Sequence, residues 1–381
     1  MKKILFVLPG LPMGGLERVQ VNLANALAER GHEVTILTLN PQADLKSELS
    51  PKVRYRYKPY KPHPIGGRIP YIRHKFYDDG MWETRASAKE LYRYYVGSEQ
   101  YDVEVGFFRG LSVKIVSGST NPHSVKLAWV HSDFKLCGGI TNNFKNMAAV
   151  KTAYGKYDRI VCVSDRARES FVEVIGYPEK ATRVYNLLPA EQIRAMGNEP
   201  CAAEKKKFTV VSVGHLIPVK GYDRLIAAVK RLIAEGADVE LWLVGDGEER
   251  EKLQALAAGE ERIRFFGSQQ NPYPYMKQAD LYVCSSRYEG FNLTVAEALI
   301  LGRPVLSTNC TGPTEILEGG KYGKIVENGE EGIYRGIKDL IEQPETLWHF
   351  AESAQTRGQE FSVEKVLQKV LQAMESKTEN V

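Results

Sequence analysis

The sequence predicts a doubly wound α/β protein made of two Rossmann-like domains. Three observations carry this: short, nearly unbroken apolar runs, amphipathic segments of helical period between them, and a restart of the pattern after a polar stretch near mid-chain. The runs are Ile4 to Leu8, Val34 to Leu39, Ile160 to Val163, Val210 to Val213, Leu241 to Val244, Leu281 to Cys284 and Pro304 to Leu306. Unbroken rather than alternating apolar residues suit strands buried on both faces, the condition of a parallel sheet. Between them, Leu16, Val19, Leu23, Ala26 and Leu27 trace one helix face, and Leu225, Ile226, Val229, Leu232 and Ile233 trace another more cleanly. The restart follows residues 190–207, which are polar, contain Gly197 and Pro200 and end in Lys205, Lys206 and Lys207. We therefore expect an N-terminal domain over 1–189, a linker over 190–207 and a C-terminal domain over 208–359. Phe361, Val363, Val366, Leu367 and Val370 give a last amphipathic helix, and residues 360–381 are expected to cross back to the first domain. The stretch 41–100 is rich in Pro, Tyr and basic residues and shows no clean period.

A length of 381 residues exceeds one comfortable core, and the apolar (43%) and charged (26%) fractions are those of an ordinary globular chain. Five scattered cysteines (Cys137, Cys162, Cys201, Cys284, Cys310) form no C-x-x-C pair, so neither a disulfide framework nor a zinc site is indicated. Free thiols in apolar runs fit a reducing compartment, and a cytoplasmic location is expected. The N-terminal apolar run is too short for a signal peptide and no small-residue cleavage site follows it. No run approaches the roughly 20 apolar residues that span a bilayer. The net charge of +4 does not call for a nucleic-acid partner. Its distribution is more informative, because residues 51–77 hold eight Lys and Arg side chains, interleaved tyrosines and no acid. Arg54, Arg56, Lys58 and Lys61 are candidates for contact with an acceptor or an anionic membrane surface.

Four loops could carry chemistry. Gly10 to Gly15 follows the first run and precedes a helix, where backbone amides can hold an anion or where glycines simply serve a left-handed turn. Gly245 to Arg250 is similar, but Arg250 at the third glycine position of a dinucleotide fingerprint favours a plain turn over a nicotinamide cofactor site. Gly214 to Gly221 sets Lys220 where a phosphate could approach the end of the sheet. Ser285 to Ala298 is the strongest signal. It reads as a glycine turn, then Asn292 as helix N-cap, then an apolar helix whose Glu297 lies among Val295, Ala296, Ala298 and Leu299 and so needs a polar partner.

Glu289 and Glu297, with seven residues between them, resemble the E-x7-E motif of the retaining family 4 glycosyltransferases. The likeness extends over almost the full length, through Gly14-Gly15, Val130 to Asp133, Val161 to Ser164, Gly214 to Gly221, Phe265 to Gly267, Gly302 to Val305 and Gly312 to Glu315. It implies the GT-B fold, two facing Rossmann-like domains with the sugar nucleotide mainly on the second. It also implies that Glu297 binds the donor ribose and Glu289 a hydroxyl of the transferred sugar. Lys220 would neutralise the diphosphate, and Gly290 and the amides of Phe291, Asn292 and Leu293 would hold phosphate or sugar oxygens. His131 would lie beside the reacting sugar carbon, and Gly14, Gly15 and Gly267 would line the donor. One departure stands out: His215 occupies a position that is usually arginine, so phosphate binding would depend on pH. No D-x-D occurs near these residues, which points to a metal-independent enzyme without a cofactor. The expected reaction is transfer of a hexosyl or N-acetylhexosaminyl group from a nucleotide sugar, UDP favoured, to a saccharide or lipid-linked acceptor, with retention by front-face attack. Two other readings stay open: an epimerase or phosphorylase of the same fold, and a nucleotide-sugar-binding protein without turnover.

Overall fold

The computed structural model describes residues 1–59 and 81–375. They divide into two compact units, Met1–Leu187 together with the chain from Val366, and Leu188–Lys365.

The first unit is built on a parallel sheet of seven strands in the order β3-β2-β1-β4-β5-β6-β7. These are β1 (Lys3–Leu8), β2 (Glu33–Thr38), β3 (Arg54–Tyr57), β4 (Val103–Gly106), β5 (Val125–Val130), β6 (Arg159–Cys162) and β7 (Ala181–Arg183). β1 is buried from Ile4 to Leu8, as its apolar run requires, and pairs with β2 on one side and β4 on the other. The helix Gly15–Glu29 turns Val19, Leu23, Ala24 and Leu27 inward. From the other end of the chain, the helix Val363–Glu375 belongs largely to this unit, and Lys2 Nζ donates to the Met374 carbonyl at 3.0 Å.

The second unit repeats the plan with six parallel strands, ordered β10-β9-β8-β11-β12-β13. They are β8 (Phe208–Val213), β9 (Val239–Val244), β10 (Ile263–Phe265), β11 (Leu281–Cys284), β12 (Val305–Thr308) and β13 (Lys324–Val326). Residues 190–207, expected as a linker, instead begin with a helix, Ala190–Met196, that lies in this unit. Ile193 is buried and Arg194 Nε donates to the Ile300 carbonyl at 3.3 Å, so the segment packs and does not merely connect.

In both sheets the strand order reverses once, between β1 and β4 and between β8 and β11. Loops leaving neighbouring strands diverge there and leave a crevice at the carboxyl ends, the place where open α/β sheets bind ligands. Among the described residues no helix is long and apolar enough to cross a membrane, and all five cysteines are free.

Candidate functional site

In the second unit the two loops at the reversal are fastened to each other. Arg287 N donates to the Val219 carbonyl at 2.7 Å, and Ser285 Oγ to the Lys220 carbonyl at 2.9 Å. Arg287 also grips Asp223 through two hydrogen bonds of 2.9 and 2.6 Å, and that guanidinium holds the Asp223 carboxyl below its ordinary range. Across this frame Lys220 Nζ reaches Glu289 Oε1 at 2.5 Å. The family resemblance implies separate tasks for these two side chains, a phosphate and a sugar hydroxyl, and the fold joins them as one half-buried ion pair. Ser286 Oγ donates to the same carboxylate oxygen at 2.9 Å.

Past Glu289 the chain runs through Gly290 into the helix Leu293–Ile300. Asn292 caps it as expected, its side-chain oxygen accepting from Val295 N at 3.2 Å, in a left-handed conformation (φ +74°) that asparagine tolerates better than most residues. Phe291 and Asn292 are buried, and Leu293 is half-buried at the helix start. Gly312 makes this loop possible, since a Cβ there would lie 2.6 to 2.7 Å from the Phe291 backbone. One turn and a half into the helix, Glu297 has the polar partner its apolar surroundings demand. Tyr273 Oη donates to Glu297 Oε1 at 3.2 Å. His215 is exposed in the loop after β8, and Gly267 lies beyond β10 with φ +69°. Gly245 is a close-packed glycine at the end of β9. A Cβ on it would meet the Gly214 carbonyl at 1.9 Å, and Arg250 is spent on Asp246 at 2.5 Å.

In the first unit, the glycine loop after β1 is not the left-handed turn, one of the two readings its sequence allows. Gly14 is extended (φ −164°) and Gly10 is not among the positive-φ residues. What approaches Gly14 is Glu17, whose carboxylate oxygen would lie 2.3 Å from a Cβ built there. Burial raises the Glu17 carboxyl above its usual range, against a smaller opposing pull from its backbone N–H. At the end of β5, His131 Nε2 lies 2.9 Å from the Phe107 carbonyl. A carbonyl only accepts, so Nε2 carries the hydrogen and Nδ1 is the acceptor of the neutral ring. Nδ1 is sheltered from solvent with no partner among the described residues. Phe107 and Phe108 flank the ring at centroid distances of 4.6 and 5.4 Å, and burial drives its pKa down to about 4 against a smaller upward pull from the Phe107 carbonyl.

Of the basic residues singled out on the first unit, Arg54 and Arg56 pair with Glu99 at 2.7 and 3.1 Å. Lys58 Nζ sits 4.6 Å over the Tyr94 ring, and Lys61 lies outside the described residues. Tyr273 and Ser286 were not assigned from sequence. Ser286 sits inside the conspicuous 285–298 block, while the only local sign of Tyr273 is the stiff Asn271-Pro272-Tyr273-Pro274 turn.

Comparison with known proteins fits this arrangement of two parallel sheets. Residues 199–357 match the family described as Glycosyl transferases group 1, and residues 13–103 match Glycosyltransferase Family 4. The chain is a two-domain glycosyltransferase. Along nearly its whole length this glycosyltransferase is similar to the lipopolysaccharide core biosynthesis glycosyltransferase LpsE of Rhizobium meliloti, at 26% identity over 96% of each chain. It is 29% identical, over 60% of its own length and 63% of the relative's, to a Campylobacter jejuni N-acetylgalactosaminyltransferase named for a diphospho-undecaprenol-linked saccharide. In fold it matches the GT-B glycosyltransferase HepE of Anabaena, solved in complex with UDP, at a TM-score of 0.74 and 17% identity over 97% of this chain and 98% of HepE.

Proposed function

We propose that this glycosyltransferase moves a hexosyl or N-acetylhexosaminyl group from a UDP-sugar to a saccharide or lipid-linked saccharide, with retention and without a metal, in the assembly of a surface polysaccharide or glycoconjugate. The observation that carries this reading is the Lys220–Glu289 pair at the β8/β11 reversal, with Glu297 in the helix that follows the Glu289 loop. Lys220 is held ready by a carboxylate. When the donor arrives, its diphosphate takes over the ammonium group, and Glu289, kept in place by Ser286, turns its oxygens to a hydroxyl of the sugar. Glu297 takes the ribose. Charge developing on the leaving diphosphate is answered by Lys220, by the amides of Phe291, Asn292 and Leu293 at a helix N-terminus, and by His215. Gly290 and Gly267 give the donor room.

In the first unit, neutral His131 offers Nδ1 as a hydrogen-bond acceptor for a sugar or acceptor hydroxyl, with Gly14 and Gly15 forming the loop that receives it. A lipid-linked acceptor is supported by the Campylobacter relative, and docking at an anionic membrane surface through Arg54, Arg56, Lys58 and Lys61 belongs to the same reading.

The test is a thermal-shift screen of UDP-, GDP- and ADP-sugars followed by product analysis. A ligand at a hundred times its dissociation constant adds about 2.7 kcal/mol of apparent stability. We expect the shift with UDP-sugars and, on adding saccharide acceptors, an α-linked product from an α-linked donor. An inverted product rules out retention. Conversion of the donor alone would make the protein an epimerase, release of a sugar phosphate with free phosphate would make it a phosphorylase, and binding without turnover would make it a binding protein.

A further inference from the structure

We propose that Tyr273 positions Glu297 for the donor ribose, so that discrimination of ribo- from deoxyribonucleotides depends on a phenol hydroxyl outside the two-glutamate motif. The proposal rests on the reading of Glu297 as the ribose ligand. Its geometry is simple: Tyr273 Oη is 3.2 Å from Glu297 Oε1, across 24 residues of sequence. An ionised carboxylate cannot donate, so the phenol does.

Both partners arrive on fixed backbone. Tyr273 is 5% exposed and opens the helix Tyr273–Gln278, where Pro272 and Pro274 restrict the chain. Asn271 locks that start from both ends of its amide. Its oxygen accepts from Tyr273 N at 3.1 Å, and its nitrogen donates to the Met196 carbonyl at 2.9 Å and to Glu199 Oε2 at 2.8 Å. On the other side, Val295, Ala296, Ala298 and Leu299 are fully buried and seat the helix that carries Glu297. The glutamate side chain itself has three torsions whose freedom must be lost before it can meet a ribose. The phenol hydroxyl removes that freedom in advance. A carboxylate has about four lone-pair sites, so accepting one hydrogen bond leaves capacity for ribose hydroxyls. Ser286 stands to Glu289 in the same relation, at 2.9 Å, so each carboxylate of the motif is steadied by a hydroxyl from its own unit.

The experiment measures calorimetric affinities of the wild-type chain, Tyr273→Phe, Glu297→Ala and the double variant for UDP, 2′-deoxy-UDP and 3′-deoxy-UDP, with donor KM and kcat alongside. Phenylalanine keeps the buried ring and removes only the hydroxyl. Tyr273→Phe is expected to weaken UDP by roughly three- to tenfold. It should narrow the preference for UDP over the deoxy forms and raise donor KM, while kcat at saturating donor holds. The double variant should match Glu297→Ala alone. If Tyr273→Phe keeps the full ribose preference while Glu297→Ala loses it, the positioning role is wrong and the reading of Glu297 survives. If Glu297→Ala keeps the preference as well, the reading of Glu297 fails and takes this inference with it. An equal loss of UDP and deoxy-UDP binding in Tyr273→Phe, with lowered kcat and melting temperature, makes the hydroxyl structural and also overturns the proposal.

Discussion

The loops that follow the first strand of each sheet occupy equivalent places, beside the reversal of strand order, yet they are charged in opposite senses. After β8 the loop ends in Lys220, whose ammonium group is held by Glu289. After β1 the loop ends against Glu17, whose carboxyl is raised by burial. Shared topology makes two crevices; side chains decide what each will accept. A cation with a displaceable carboxylate suits a diphosphate. A half-buried carboxyl at the head of a helix would repel one and suits neutral hydroxyl-bearing groups instead. On the proposed reading, the division of labour between donor and acceptor would be written in the charge of two loops that look alike as glycine patterns.

The largest effects should follow from breaking the cationic side. Glu289→Ala is expected to lower kcat by roughly a hundredfold or more, the scale of losing a stabilising contact made in the transition state, with little change in UDP affinity. Lys220→Ala should act on binding, weakening UDP by roughly 10- to 100-fold, because a charge-assisted contact is lost and Glu289 is left unneutralised beside the diphosphate. The double variant should then bind UDP better than Lys220→Ala alone. Calorimetry and initial rates check all three, and a double variant that binds worse would show that Glu289 does not exchange places with the diphosphate.

Smaller effects, opposite in sign, are expected from the two titratable groups of the first unit. His131 has its folded pKa lowered from 6.5 to about 4. Between these values the unfolded chain binds the proton and the folded chain does not, so stability falls as pH drops through that window. Replacing it with Gln should remove about 3 kcal/mol of that acid sensitivity near pH 4. Glu17 is raised instead, so the folded chain holds its proton longer and stability falls as pH rises above the ordinary carboxylate range. Glu17→Gln should therefore raise the melting temperature at neutral pH. Melting curves from pH 4 to 8 separate the two, and parallel profiles for both variants and the parent would contradict the assigned environments.

The second unit was the more legible for a physical reason that particular strands show. β1, β2, β6, β8, β9, β11 and β12 each coincide with an apolar run marked in the sequence. β4 does not, because Glu104 interrupts it; that carboxylate is fully buried and is met by the Tyr92 hydroxyl at 2.5 Å, a solution visible only in three dimensions. β7, β10 and β13 are three residues each, too short to show a period. Ala190–Met196 was lost to the Gly and Pro that follow it. For the candidate site, Glu289, Asn292 and Glu297 lie in one contiguous strand-turn-helix block, so local pattern was enough to single them out. Tyr273 comes from another helix, and no local rule connects it to Glu297. The ion pair between Lys220 and Glu289, 69 residues apart, was hidden for the same reason.

The smallest effect concerns the edge strand of the first unit, where charge alone is a poor guide. Read as sequence, residues 51–77 carry basic charge with no acid to balance it. In the fold, acids from elsewhere answer them: Lys52 meets Glu29 at 2.7 Å, Arg54 and Arg56 share Glu99, and Lys58 leans on Tyr94. Against Lys52, Arg54, Arg56 and Lys58 stand Glu29 and Glu99, which halves the net charge of the described part of the patch. Each unneutralised Lys or Arg near an anionic leaflet contributes about 1 kcal/mol, so vesicle binding should be weak and easily screened. Sedimentation with phosphatidylserine-containing vesicles should show partial pelleting at low salt and release near physiological ionic strength. Changing Arg54, Arg56, Lys58 and Lys61 to Ser should abolish pelleting, at a stability cost of about 1 kcal/mol or less, since the pairs broken are near the surface. Changing only Arg54 and Arg56 should weaken pelleting less than changing only Lys58 and Lys61, because Glu99 already offsets part of the arginine charge. Equal binding by the fourfold variant and the parent, or none by the parent, would leave the membrane without a role at this strand while the proposed donor site of the second unit stood unaffected.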